Sequence, residues 1–159
     1  MPAAEKKISD YFAELYVAGK LADAGWNIYF PHRDEGFDFI ISKTLDEGVL
    51  LRPVQVKGKY PFGGKTDKPT YGYVGRLSQS HPEMVLAIVY FSSHGRRNSP
   101  ECVAFMPQCQ IKKHSRGYRC QPALFKSGEP KPRRDYSIFF DSEGISRLES
   151  PEWKGTRIP

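Results

Sequence analysis

Residues 36–59 read GFDFIISKTLDEGVLLRPVQVKGK, and the fold turns on how this stretch is read. The apolar segment from Phe37 to Ser42 reads as one strand, and Val49 to Lys57 as the next, with Leu50, Leu51, Val54 and Val56 as its apolar positions. Pro53 marks a bulge or an edge in that second strand. Thr44 to Gly48 is polar and turn-forming, so the chain is expected to fold back between Asp46 and Glu47 as an antiparallel hairpin. Asp38 then faces Gln55. Residues opposite one another in such a pair project to the same side, as do side chains two apart on a strand. Asp38, Gln55 and Lys57 are therefore expected on one face, with Phe37, Phe39, Val54 and Val56 on the other. An acid, an amide and an amine gathered at strand ends are a donor set suited to a hard cation.

Upstream, Ile8, Tyr11, Phe12, Leu15, Ala18 and Ala22 recur at steps of three and four, which predicts an amphipathic helix from Lys6 to Ala24, ended by Gly25. Glu14 lies just off the edge of that apolar arc, beside Ala18 and Leu21. If the helix packs on the sheet, Glu14 points along the rim toward Asp38 and Gln55. Trp26 to Phe30 reads as a strand stopped by Pro31, and His32 to Gly36 as a polar turn whose Asp34 and Glu35 are there for solvation.

Downstream, the run MVLAIVYF from Met84 to Phe91 is the strongest buried-strand signal, with Cys102 to Met106 as its neighbour. A short helix is expected at Gln108 to Lys113, a basic, proline-rich loop at Ser127 to Asp135, a strand at Tyr136 to Phe140 and a helix at Ser142 to Glu149. The whole is expected to be a single α/β domain over residues 1–159: a central mixed sheet flanked by helices, with a C-terminal extension from about residue 127.

The chain carries 24 Lys and Arg against 18 Asp and Glu, a formal net charge of +6, which favours a polyanionic partner. Lys59, Lys65, Lys68 and Arg76, interleaved with Tyr60, Tyr71 and Tyr73, form a candidate phosphate-gripping segment whose rings can stack on bases. Lys112, Lys113, Arg116 and Arg119, and then Lys131, Arg133 and Arg134, are further basic clusters that solubility alone explains. The first residues lack the apolar core of a secretory signal, and no stretch approaches the ~18 apolar residues of a membrane span, so a cytoplasmic protein is expected. Cys102, Cys109 and Cys120 are odd in number and form no CxxC pair, and the four histidines show no metal-ligand spacing, so neither a disulfide framework nor a zinc site is suggested and buried, idle thiols are expected.

Taken in order, the helical Glu14, the string GFDFI around Asp38 and the string VQVKGK with Gln55 and Lys57 resemble the PD-(D/E)XK nuclease superfamily. The matched stretch covers roughly the first third of the chain. Two departures stand out: Phe37 precedes Asp38 where the family has proline, and Gln55 stands where an acid is usual, making this a QxK variant. The resemblance implies a restriction endonuclease-like core and hydrolysis of phosphodiester bonds in DNA. It further implies Mg²⁺, with Mn²⁺ able to substitute, held by Asp38, Gln55 and Glu14, and Lys57 positioning the attacking water. A homodimer suits cleavage of two strands. Two other readings are an inactive nucleic-acid-binding module on the same fold and a protein-interaction domain using the aromatic loop from Tyr60 to Tyr73.

Overall fold

The computed structural model describes residues 8–33, 35–61, 73–75, 77, 79–94, 97–115 and 117–156. Helix α1 (Ile8–Asp23) leads into β1 (Asn27–Tyr29), β2 (Phe39–Leu45) and β3 (Gly48–Lys59). After β4 (Tyr73–Gly75) come the long β5 (Val85–His94) and β6 (Arg97–Pro107). The chain closes with β7 (Lys112–His114), β8 (Gly117–Arg119), β9 (Ala123–Lys126), β10 (Glu129–Pro132) and the short α2 (Asp141–Arg147). The protein is thus α/β, built on a five-stranded mixed sheet of order β1-β2-β3-β5-β6 in which only β3 and β5 run parallel.

The hairpin of β2 and β3 closes as its turn chemistry demands. Leu45 pairs with Gly48, leaving Asp46 and Glu47 as a two-residue loop, and Gly48 takes a φ of 132° that a side chain would resist. Pro53 makes no bulge. The carbonyl of Val54 accepts from Asp38 N–H on the β2 side, so the backbone at position 53 faces the β5 side, where pairing starts only at Val54. Its missing N–H therefore costs no ladder bond.

The central sheet is covered differently on its two faces. On one, Phe39, Ile41, Val54, Val56, Val85, Ala87 and Val89 pack against Ala13, Val17, Ala18 and Leu21 of α1 and against Leu148 and Trp153. On the other, Leu86, Ile88, Tyr90, Ala104 and Met106 meet Val74, Leu77, Cys120, Ala123, Phe139 and Phe140. The expected flanking by helices thus holds for one face. The other is roofed by two small sheets, β4-β8-β7 and β9-β10.

Several local expectations change. Helix α1 ends with Trp26 N–H donating to the Leu21 carbonyl at 3.0 Å and Gly25 at a φ of 94°, as a glycine stop should. Its buried face is displaced from the arc its large residues mark, however: Ala13, Glu14, Val17 and Leu21 face inward, with Ala18 at the border, while Tyr11, Phe12 and Leu15 are exposed. Residues 136–140 are not a strand. A 3-10 turn spans Arg134–Phe139, because adjacent Phe139 and Phe140 are both buried and the Tyr136 ring lies tilted against Phe139 with centroids 6.4 Å apart, an i,i+3 relation. The expected helix at 108–113 shrinks to a 3-10 turn at Gln108–Gln110 followed by β7. The proline-rich stretch after Ser127 is a hairpin of β9 and β10, whose turn residues Ser127 and Gly128 both have positive φ, at 52° and 78°.

The C-terminal segment is clamped to the sheet by Arg52, a buried guanidinium on the α1 side of β3. Its Nε donates to the Leu148 carbonyl at 2.7 Å and its Nη2 to the Ser150 carbonyl at 3.1 Å, while Nη1 pairs with Glu83 at 2.5 Å. Lys43 ties the same segment through Glu149 and donates to the Ala24 carbonyl at 3.1 Å. No helix among the described residues is long and apolar enough to cross a membrane.

Candidate functional site

The pairing of β2 with β3 runs from Leu45 opposite Gly48 to Phe39 opposite Val54, and there it stops. Beyond Val54, β3 continues to Lys59, paired among the described residues only with β5. This bare edge is where the candidate residues meet. Asp38, the residue just ahead of β2, donates its N–H to the Val54 carbonyl at 2.9 Å, and its Oδ2 accepts from Val56 N–H at 2.6 Å. A strand N–H lies in the sheet plane, so the carboxylate sits at the level of the ladder, in place of the next residue of β2. It contacts the backbone between Gln55 and Lys57.

Gln55 and Lys57 project together. They pair with Leu86 and Ile88, both members of the roofed cluster, so their side chains lie on the face away from α1. Gln55 is 7% exposed, and its Oε1 is buried with no hydrogen-bond partner among the described residues. Lys57 is half-buried. Lys59 continues the same row opposite Tyr90, and burial, then the charge of Lys57, hold its ammonium below the ordinary lysine range. Burial pushes the neighbouring Cys120 thiol up to about 12 even though Lys59 opposes that shift, and Cys102 likewise stands near 12. These two buried thiols stay protonated and unreactive at neutral pH.

Glu14 approaches from the other side. It is buried within the inward arc of α1, between Leu21 and Ala18 on the helix surface, rather than on the rim. The rings of Phe12, Phe91 and Tyr60 lie in sequence, with centroids 6.3 Å and 4.5 Å apart, and they place the first half of α1 over the ends of β3 and β5. Glu14 and Asp38 therefore share one end of the sheet, but Glu14 belongs to the α1 face while Gln55 and Lys57 belong to the roofed face. Among the described residues no group of three His, Cys, Asp or Glu side chains gathers as a metal-holding set.

The aromatic and basic segment is only partly in view. Lys65, Lys68, Tyr71 and Arg76 lie outside the described residues, as do Asp34 and Arg116. Tyr73 opens β4, which pairs with β8. Lys112 and Lys113 are exposed on β7, and Lys131, Arg133 and Arg134 are exposed on and after β10. A cavity of about 260 Å³ lined by Leu77, Ser80, Gln108, Cys109, Ile111 and Tyr118 contains none of the candidate residues. Tyr90 and Cys120, which surround Lys59, escaped the sequence reading because nothing local ties them to residue 59. No family model, no curated protein and no solved structure matches this chain.

Proposed function

We propose that this protein is a metal-dependent endonuclease with a restriction endonuclease-like, PD-(D/E)XK core, hydrolysing phosphodiester bonds in DNA. The observation that carries this reading is the Asp38 carboxylate docked on the backbone between Gln55 and Lys57, beside a buried Gln55 carbonyl that has no hydrogen-bond partner among the described residues. A buried acceptor left unpaired costs about 1–3 kcal/mol, so such an atom fits a ligand donor better than a packing residue. The donor set is all oxygen, which suits Mg²⁺ or Mn²⁺ held by Asp38 and Gln55, with Glu14 as a third candidate. When bound, the ion supplies Lewis-acid polarisation of the phosphate and a bound water of lowered pKa.

The chain's own groups do the rest. Val56 N–H holds Asp38 in one orientation through a short, charge-assisted hydrogen bond. The Lys57 ammonium orients water and offsets the charge that develops on the phosphate oxygens. Lys59 and the formal net charge of +6 draw the polyanion toward the bare edge of β3.

Incubation with plasmid, branched and single-stranded DNA in Mg²⁺ or Mn²⁺ tests this. Wild type is expected to cut, and Asp38→Ala and Lys57→Ala to lose roughly 10²- to 10³-fold in rate. Absence of cleavage by wild type, or equal cleavage by Asp38→Ala, overturns the proposal. One observation favours a binding module without catalysis: Asp38 already spends one oxygen on Val56 N–H, and Gln55 adds no charge. On that second reading, calorimetry gives DNA affinity with no Mg²⁺ binding and no dependence on Lys57.

A further inference from the structure

On the face that carries Gln55 and Lys57, the roof stops short. Tyr29 of β1 pairs with Ile40 of β2, Ile40 with Pro53 of β3, and Thr44 with Val49, so these residues share that side of the sheet together with Leu51, the partner of Ser42. Tyr29 is 57% exposed, Ile40 43%, Val49 65% and Leu51 55%. Asn27, Thr44 and Pro53 lie among them, with Ser42 buried beneath, so the part of this face ahead of Gln55 presents no charged side chain in a chain that is 26% charged, and the first cation of the row is Lys57.

A free aromatic side chain such as that of Tyr29 exposes roughly 150–250 Å², and the aliphatic side chains of Ile40, Val49 and Leu51 expose somewhat less. At these exposures, four of them leave on the order of 400 Å² of bare apolar surface, which is patch-sized. Two such patches face to face cover about 800 Å² before backbone, Asn27, Thr44 and Pro53 are counted, close to the ~1,000 Å² that a specific interface needs.

We propose that this face docks a second copy of the chain, sheet against sheet, about a two-fold axis. The charge pattern selects that occupant. A nucleic acid gains no counterion release from a patch without a cation. Two copies each carrying +6 repel wherever their basic surfaces meet, whereas this uncharged patch pairs with itself at no electrostatic cost. The edge strand β1 is only three residues long, too short for edge-to-edge pairing to compete with face packing. The pairing stands apart from the proposed nuclease activity. Only its consequence rests on that reading: because Gln55 and Lys57 continue the row of Val49, Leu51 and Pro53, a face-to-face pair carries both sites on one assembly suited to cutting two strands.

Sedimentation equilibrium with light scattering tests it on the full chain. Wild type at tens of micromolar is expected at about 36 kDa, twice 18.1 kDa, with no weakening in high salt. Leu51→Asp and Val49→Asp are expected to run as monomers with unchanged circular dichroism, since both side chains are already wet in the single chain, and with a melting temperature that no longer rises with protein concentration as that of the wild-type dimer does. Leu15→Asp, on the exposed arc of α1, is expected to leave the dimer intact. A monomeric wild type, a dimer that survives Leu51→Asp, or a dimer broken by Leu15→Asp instead would each sink the proposal. Loss of DNA retention by Leu51→Asp with wild type monomeric assigns the face to nucleic acid and likewise overturns it. Because mass is read without substrate, these outcomes are independent of whether the protein cleaves DNA.

Discussion

The two halves of β3 share one face of the sheet and treat it in opposite ways. From Gly48 to Pro53, where β2 flanks the strand, Val49 and Leu51 stand in solvent. From Gln55 to Lys59, where only β5 flanks it, a glutamine amide is buried and two lysines are half-buried. Burial by hydrophobicity alone predicts the reverse. The difference comes from the roof: β4, β8, β9 and the segment around Phe139 settle over β5 and β6, sheltering the second half of β3 and leaving the first half bare. Wet aliphatic side chains and a dry, unpaired carbonyl are each costly, and their adjacency on one strand is the physical basis of both proposals.

Substitutions within β3 break or sharpen that contrast. The largest effect is expected on the opposite face of the first half, at Arg52. Arg52→Met leaves the Leu148 carbonyl without its donor, the Ser150 carbonyl with Trp153 N–H alone and Glu83 with Lys154 alone, and urea denaturation is expected to show a loss of about 3 kcal/mol. The melting temperature should fall by roughly 10 °C. A loss below ~1 kcal/mol means that the C-terminal segment is held chiefly by the buried Trp153, whose Nε1 donates to the Met84 carbonyl at 3.0 Å, and by the Lys43–Glu149 pair.

In the second half, Gln55→Leu is expected to move stability the other way. It removes a buried unpaired acceptor and keeps a similar volume, so a gain of about 1 kcal/mol is expected together with loss of metal-dependent cleavage. Destabilisation instead shows that the amide is engaged structurally and separates Gln55 from the proposed site. The smallest effect is expected for Lys59→Met. The folded state holds Lys59 below the ordinary lysine value of 10.5, so it binds that proton less readily than the unfolded chain does. Wild-type stability should therefore rise with pH through the window below 10.5 and level off above it. The variant is expected to be slightly more stable at neutral pH and to lose that advantage as pH passes 10.5, which pH-dependent melting curves measure directly.

Much of the site's frame was legible in the chain itself. The alternation on either side of Asp46 and Glu47, with Gly48 after them, specified the hairpin and its register, and that register sets Asp38 against the backbone beside Gln55. What the alternation could not convey is that β2 stops at Phe39, so the Asp38 carboxylate lies in the plane of the ladder instead of on the face it was expected to share. The helix misled for a different reason. Its bulky residues Tyr11, Phe12 and Leu15 mark one arc, whereas Ala13, Val17 and Leu21 mark the neighbouring one with Ala18 at the border, and the small Ala13, Val17 and Ala18 let the helix axis approach the sheet closely. Glu14 was drawn inward with that arc. Residues 136–140 misled because an apolar run of five carries no period of its own.

By itself the sequence determined the elements whose signals are local: a glycine-stopped helix, a two-residue hairpin loop and a buried run at β5, since turn chemistry and period-two alternation act between neighbours. The tertiary structure alone decided which arc of α1 is buried, which half of β3 is roofed, and that Arg52, Lys59 and Gln55 lie out of solvent. Those outcomes depend on segments far away in the chain, which reach the sheet only after it has formed and whose shape complementarity no single strand encodes.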